Sequence, residues 1–235
     1  MKKYNFIILT LICAIFCIYG KGVLALADNF KVCIDPGHQS KGDQRLEAVG
    51  PGDTFSKPRV SSGTRGIGSK KWEYEVVLDA GIILKELLSD NYDVVMTREK
   101  NEVNISNRER AEFANRQNAN LNIRLHCDSI KDSSKTGATI LVPSQKGKYT
   151  KEIYDKSFEF AKELEKSLKE SGVKVNGIFE RGDITGFNYS KVPTVILEMG
   201  FMSNYNEDIL LCTRSYQEKL MNAVKVAINN YRNFE

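Results

Sequence analysis

The sequence predicts a single α/β domain: a mainly parallel, twisted sheet of about six strands with helices on both faces. Three observations carry this reading. Short apolar runs alternate with helical patterns along most of the chain, the order that yields parallel strands joined by crossover helices. A length of 235 residues suits one domain. A content of 41% hydrophobic and 27% charged residues is enough for a core and argues against disorder.

The first 27 residues stand apart from that core. Lys2 and Lys3 precede an apolar run from Phe6 to Tyr19, and small residues follow at Ala25 and Ala27. This is the pattern of a secretory signal peptide, residues 1–27, cleaved after Ala27 to leave a domain over 28–235. The apolar run is short for a membrane span of roughly 20 residues, so no stable span is expected after cleavage. Three of the 34 basic residues (Lys2, Lys3, Lys21) and none of the 30 acidic ones fall in this segment, so the mature chain is nearly neutral. That balance excludes a broad nucleic-acid footprint. Cys33, Cys127 and Cys212 remain, an odd number without CxxC spacing, which suits buried free thiols better than a disulfide scaffold.

Each element follows from its local pattern. Lys31–Asp35 is a short buried strand closed by Pro36-Gly37. Residues 40–70, rich in Gly, Ser, Pro and charge, predict a long loop. From Glu73 to Leu88, Val76, Val77, Ala80, Ile83, Leu84, Leu87 and Leu88 recur at helical spacing. Val94–Met96 predicts a second strand. Ser106 and Glu109 form a capping-box pattern that opens a helix to about Gln117. Leu121–His126 and Ala138–Val142 predict further strands. Residues 151–170 form an amphipathic helix ending near Gly172, Thr194–Leu197 is another strand, and 214–232 is a closing helix.

The chemistry-bearing residues sit at strand ends. His38 and His126 are the only histidines, and each follows a buried strand; Glu198 directly follows Thr194–Leu197. In open α/β sheets the ligand crevice lies beyond the carboxyl ends of the strands, so these residues are expected to meet on one edge. Two imidazoles and a carboxylate suit zinc, whose fourth position holds a water that a further carboxylate can deprotonate. Glu73, Glu75, Glu198 and Asp35 are all candidates for the two carboxylates, and spacing does not choose among them. A structural salt bridge is the plainer alternative for Glu198, as is a satisfied polar side chain for either histidine. There is no HExxH motif.

Four segments in order, Asp35-Pro36-Gly37-His38, Glu73 opening a helix, Leu125-His126-Cys127 and Glu198-Met199-Gly200-Phe201-Met202-Ser203-Asn204, resemble the zinc-dependent N-acetylmuramoyl-L-alanine amidases of bacterial cell walls. The resemblance runs from about residue 31 to 232, with Thr97-Arg98 and the Arg110–Arg116 stretch as lesser matches. It implies that His38, Glu73 and His126 hold Zn2+, that Glu198 is the general base, and that the substrate is peptidoglycan. Glu73 is preferred over Glu75 because its distance to Leu87-Leu88 fits the family's first helix. It further implies secretion to the cell wall or to the intermembrane space of a forespore, a role in spore cortex maturation, and a regulatory or recruiting protein partner. Gln39, Arg124, Asp128 and Val77 depart from the common pattern, and Arg124, on the same strand face as His126, is placed either to reach a substrate carboxylate or to point away from it. A non-catalytic peptidoglycan-binding domain and a related zinc peptidase acting on stem peptides are the alternative readings.

Overall fold

The computed structural model describes residues 30–233. The signal peptide expected over 1–27 lies outside the described residues. The chain runs β1 Lys31–Pro36, β2 Asp43–Ala48, β3 Ser56–Val60, α1 Glu73–Leu88, β4 Asp93–Met96, α2 Asn107–Arg116 and β5 Leu121–Asp128. It continues through β6 Ala138–Pro143, α3 Lys151–Glu170, β7 Val175–Arg181, α4 Thr185–Asn188, β8 Thr194–Phe201, α5 Tyr205–Leu211 and α6 Arg214–Arg232. Six strands form one sheet in the order β4-β1-β5-β8-β6-β7. Every pair in it is parallel except β6 against β8. The expected fold class holds.

Strand parity divides the two faces. On β1, β5 and β8, Val32 and Ile34, Leu121, Ile123, Leu125 and Cys127, and Val195, Leu197 and Met199 enter the main core beneath α1, α3 and α6. The intervening residues therefore point to the opposite face: Cys33 and Asp35, Asn122, Arg124 and His126, and Thr194, Ile196 and Glu198. That face is covered more thinly. Ala114 of α2 packs with Cys33, Ala119 and Val192 in a small second cluster. One alternation thus builds the core and, on its reverse, collects polar side chains over three adjacent strands.

Capping follows the expected chemistry. Ser106 Oγ accepts from the Glu109 amide at 3.1 Å, and Glu109 Oε2 accepts from the Ser106 amide at 2.7 Å. Glu75 closes the first turn of α1 by accepting from the Trp72 amide at 2.7 Å. Among the described residues no helix is long and apolar enough to cross a membrane. Cys33, Cys127 and Cys212 are free thiols, the first two buried.

The segment 40–70 departs from the single loop expected of it. It contains the antiparallel pair β2–β3. Asp-Gln-Arg-Leu-Glu-Ala has no β-branched residue, so its strand state comes from pairing with β3 rather than from propensity. The sixth sheet strand, β7, carries Gly177 at φ 130° and a charged end, and it lies at the sheet edge, where neither face imposes a clear pattern.

Candidate active site

The site begins at the turn after β1. Pro36, Gly37 and His38 leave their carbonyls outside any ladder, and two arginines satisfy them. Arg98 donates to Pro36 O at 2.9 Å and Gly37 O at 2.8 Å. Arg110 donates to Pro36 O at 2.8 Å and His38 O at 2.6 Å. Both arginines are buried. His38 itself adopts φ 60°, a left-handed backbone that disfavours a side chain with Cβ and persists only when its surroundings impose it.

Asp35 anchors this brace from below. Its carboxylate is fully buried and accepts from Arg110 at 2.7 Å, Arg124 at 2.7 Å and Thr97 Oγ1 at 2.5 Å. Burial alone would raise its pKa, but the two guanidinium charges and these hydrogen bonds hold it well below the ordinary carboxylate range. Asp35 is therefore consumed in structure. Glu75, tied to the Trp72 amide, is likewise not in the site. Of the four carboxylates left open by the sequence, Glu73 and Glu198 are the two that face the cleft.

His38, Glu73 and His126 converge from three separate segments. His38 Nε2 lies 3.0 Å from Glu73 Oε1 and 3.1 Å from His126 Nδ1, which is itself 3.1 Å from Glu73 Oε1. The three atoms form a nearly equilateral triangle. His38 Nδ1 faces the Ser61 carbonyl at 3.1 Å, so it carries the ring proton and leaves Nε2 as a bare lone pair. A single proton on His126 Nδ1 cannot serve all three edges, so at least one edge sets lone pair against lone pair. A shared cation resolves this: tetrahedral zinc with bonds of about 2.0–2.1 Å has ligand–ligand edges of about 3.3 Å. The donor set fits such an ion.

Protonation states agree with that fit. Burial pushes the His126 imidazole down to about 4, against the opposing hydrogen bond it gives to Glu73, so it is neutral at pH 7. Burial would raise Glu73, yet the neighbouring imidazoles, His38 first and then His126, hold it well below the usual range. Glu73 is fixed by amides: Thr64 N donates to Oε2 at 3.0 Å and Cys127 N to Oε1 at 3.0 Å.

Glu198 sits beside this group because β8 runs parallel to β5 with His126 opposite Glu198 in register. His38, His126 and Glu198 line two adjoining hollows of about 270 and 430 Å3. Burial raises the Glu198 pKa well above the carboxylate range, Glu73 and Asp128 add to the rise, and Arg124 and Arg181 oppose it. A larger cavity, about 680 Å3, lies elsewhere, beside Tyr149 and Tyr189, and is lined by none of these residues. The convergent polar groups, rather than volume, mark the candidate site.

Several supporting residues escape sequence reasoning. Ser61 orients His38, with its Oγ also 3.0 Å from Nδ1. Buried Asp208 of α5 accepts from Gly68 N at 2.8 Å, Ser69 N at 2.7 Å and Ser69 Oγ at 2.7 Å, fastening the loop that leads into Glu73. Gln39 is buried and accepts from Ile105 N at 3.0 Å. None carries a local signal, because each acts across a long sequence separation. Gly37 is explained by space: a Cβ there would come within 2.3–2.7 Å of three His126 ring atoms. Gly37→Ala is expected to displace that ring and weaken any divalent-cation binding at this donor set by about 10–100-fold, as losses of ligand support do. Chelator competition measures this, and an unchanged affinity would contradict the His126 ring position.

The fold and the cleft together define an α/β protein with the donor set of a divalent-cation site at the carboxyl edge of its sheet. The N-acetylmuramoyl-L-alanine amidase family matches residues 32–230, and the chain belongs to that family of peptidoglycan amidases. The germination-specific N-acetylmuramoyl-L-alanine amidase of Bacillus subtilis is 22% identical over 182 residues, covering 70% of this chain and 73% of that protein. The fold is shared with the N-acetylmuramyl-L-alanine amidase Ami1 of Mycobacterium smegmatis at a TM-score of 0.79 and 23% identity, over 88% of this chain and 98% of that one. It is also shared with the CwlD amidase of Clostridioides difficile, solved in complex with the GerS lipoprotein, at a TM-score of 0.70 and 23% identity, over 88% and 100% of the two chains.

Proposed function

We propose that this chain is a zinc-dependent enzyme that hydrolyses the amide between the lactyl group of N-acetylmuramic acid and L-alanine. His38, Glu73 and His126 would hold the zinc and Glu198 would act as general base. The observation that carries this reading is the triangle of ligand atoms with a second, separately placed carboxylate on the neighbouring strand. Zinc held there would supply Lewis acidity toward the scissile carbonyl and a water of lowered pKa.

The chain's own residues do the rest. Glu198 accepts the proton of the attacking water and returns it to the leaving amine of L-alanine. A carboxyl with a raised pKa suits both halves of that transfer, since it holds the proton between the two events. Ser61 keeps the His38 Nδ1 proton away from the ligand face, and the Thr64 and Cys127 amides hold Glu73 in place. Arg98 and Arg110 keep the turn that presents His38 from relaxing.

The setting proposed is outside the cytoplasmic membrane, reached through the N-terminal signal, at the cell wall or in the intermembrane space of a forespore. Similarity to a germination-specific amidase supports a part in spore cortex maturation. The likeness to an amidase solved with a lipoprotein supports a protein partner that recruits or regulates this chain.

Product analysis on purified peptidoglycan, with zinc measured by elemental analysis, tests the activity. The expected result is about one zinc per chain, together with a free lactyl carboxylate and a new L-alanine amine. Stem peptides cut at a peptide bond would establish the peptidase alternative, and no cleavage by the zinc-loaded protein would establish a binding domain.

A further inference from the structure

Two partly exposed cations that share one carboxylate line the smaller hollow beside Glu198. Lys57, Arg124 and Arg181 line it with His126, against the carboxylates of Asp183 and Glu198. Arg124 is committed to the frame through Asp35 at 2.7 Å and Asn107 Oδ1 at 3.1 Å.

Lys57 and Arg181 differ. A single carboxylate, Asp183, holds both of them. Arg181 donates to it through Nε at 2.7 Å and Nη2 at 2.9 Å. Lys57 Nζ lies 3.2 Å from Asp183 Oδ2 and donates to the Asp183 carbonyl at 2.8 Å. Their side chains remain 45% and 37% exposed. The guanidinium therefore keeps N–H groups for a second acceptor, and one negative charge is shared between two positive ones. The two cations come from distant segments, β3 and the end of β7, and are already ordered, which lowers the entropy cost of receiving an anion.

We propose that Arg181 and Lys57 receive a carboxylate of the substrate's peptide, so that the enzyme selects anionic stems with a free carboxylate within two residues of the scissile amide. This rests on the amidase reading above and names the substrate class for the same site. Reach is adequate: two extended residues span at most about 7 Å, and the base and both cations line one hollow of about 270 Å3. Charge-assisted hydrogen bonds are stronger than neutral ones, and the planar fork of Arg181 matches a carboxylate.

The test uses two soluble N-acetylmuramoyl dipeptides, with L-alanine first and glutamate second, differing only in whether the glutamate α-carboxyl is free or amidated. The zinc-loaded full chain is expected to show about tenfold higher kcat/KM on the free acid, mainly through KM. Arg181→Gln is expected to bring the ratio of the two substrates close to one, and Lys57→Gln to lower it partway. Zinc content and Tm are read alongside for each variant. Equal kcat/KM for the two substrates in the unsubstituted enzyme overturns the proposal, as does a folded Arg181→Gln enzyme that keeps its preference. If Arg181→Gln does not fold, an undiminished preference in Lys57→Gln overturns it. Failure of the zinc-loaded wild type on both substrates would remove the amidase reading itself, an outcome distinct from equal turnover.

Discussion

Glu198→Gln is expected to lower kcat on purified peptidoglycan by about 10²–10⁴-fold, with zinc still bound. The substitution keeps the shape of the side chain and removes only its capacity to take a proton. Glu198 lies on β8 across from His126 and is not one of the three converged ligand atoms, so the metal site should survive its loss. KM should change little, because the effect falls on proton transfer rather than on binding. Zinc stoichiometry and kcat measured on one preparation provide the check. Near-normal turnover would rule Glu198 out as base, and loss of zinc would make it a ligand.

Asp35→Asn should have the largest effect on stability. It leaves Arg110 and Arg124, both buried, without the carboxylate they share. Removing one member of a buried ion cluster typically costs about 3–5 kcal/mol, because the remaining charges lose their compensation. For a domain of this size the Tm should fall by on the order of 10 °C. The pH dependence follows from the direction of the shift. The folded-state pKa of Asp35 lies below its unfolded value of about 3.9, so its contribution is complete above that value and is lost as pH falls through the folded pKa. The wild-type protein should therefore lose stability in acid below about pH 4, and the variant should lose less over the same range. Denaturant midpoints measured from pH 6 down to pH 2 provide the test; a variant as stable as wild type at pH 7 would mean that the two arginines do not depend on this carboxylate.

The two substitutions separate roles that the sequence left together. Asp35, Glu73, Glu75 and Glu198 are all carboxylates near the start or end of an element. Only the folded chain shows one braced by arginines, one facing two imidazoles, one capping a helix and one alone beside the cleft. Arg124 shows the same limit. Alternation placed it on the His126 face, but its partner Asp35 lies on a strand 89 residues earlier.

What the sequence determined by itself was periodic and local. The 3.6-residue recurrence over Glu73–Leu88 set α1, and the alternation along Leu121–His126 put Arg124 on the face of His126. Both follow from the geometry of one element. What only the tertiary structure decided was non-local: β5 between β1 and β8, the register that sets His126 beside Glu198, the β2–β3 pair within a polar segment, and the Asp208 clamp. Such features depend on contacts between residues far apart along the chain, whose strand order, register and direction no short window of residues encodes.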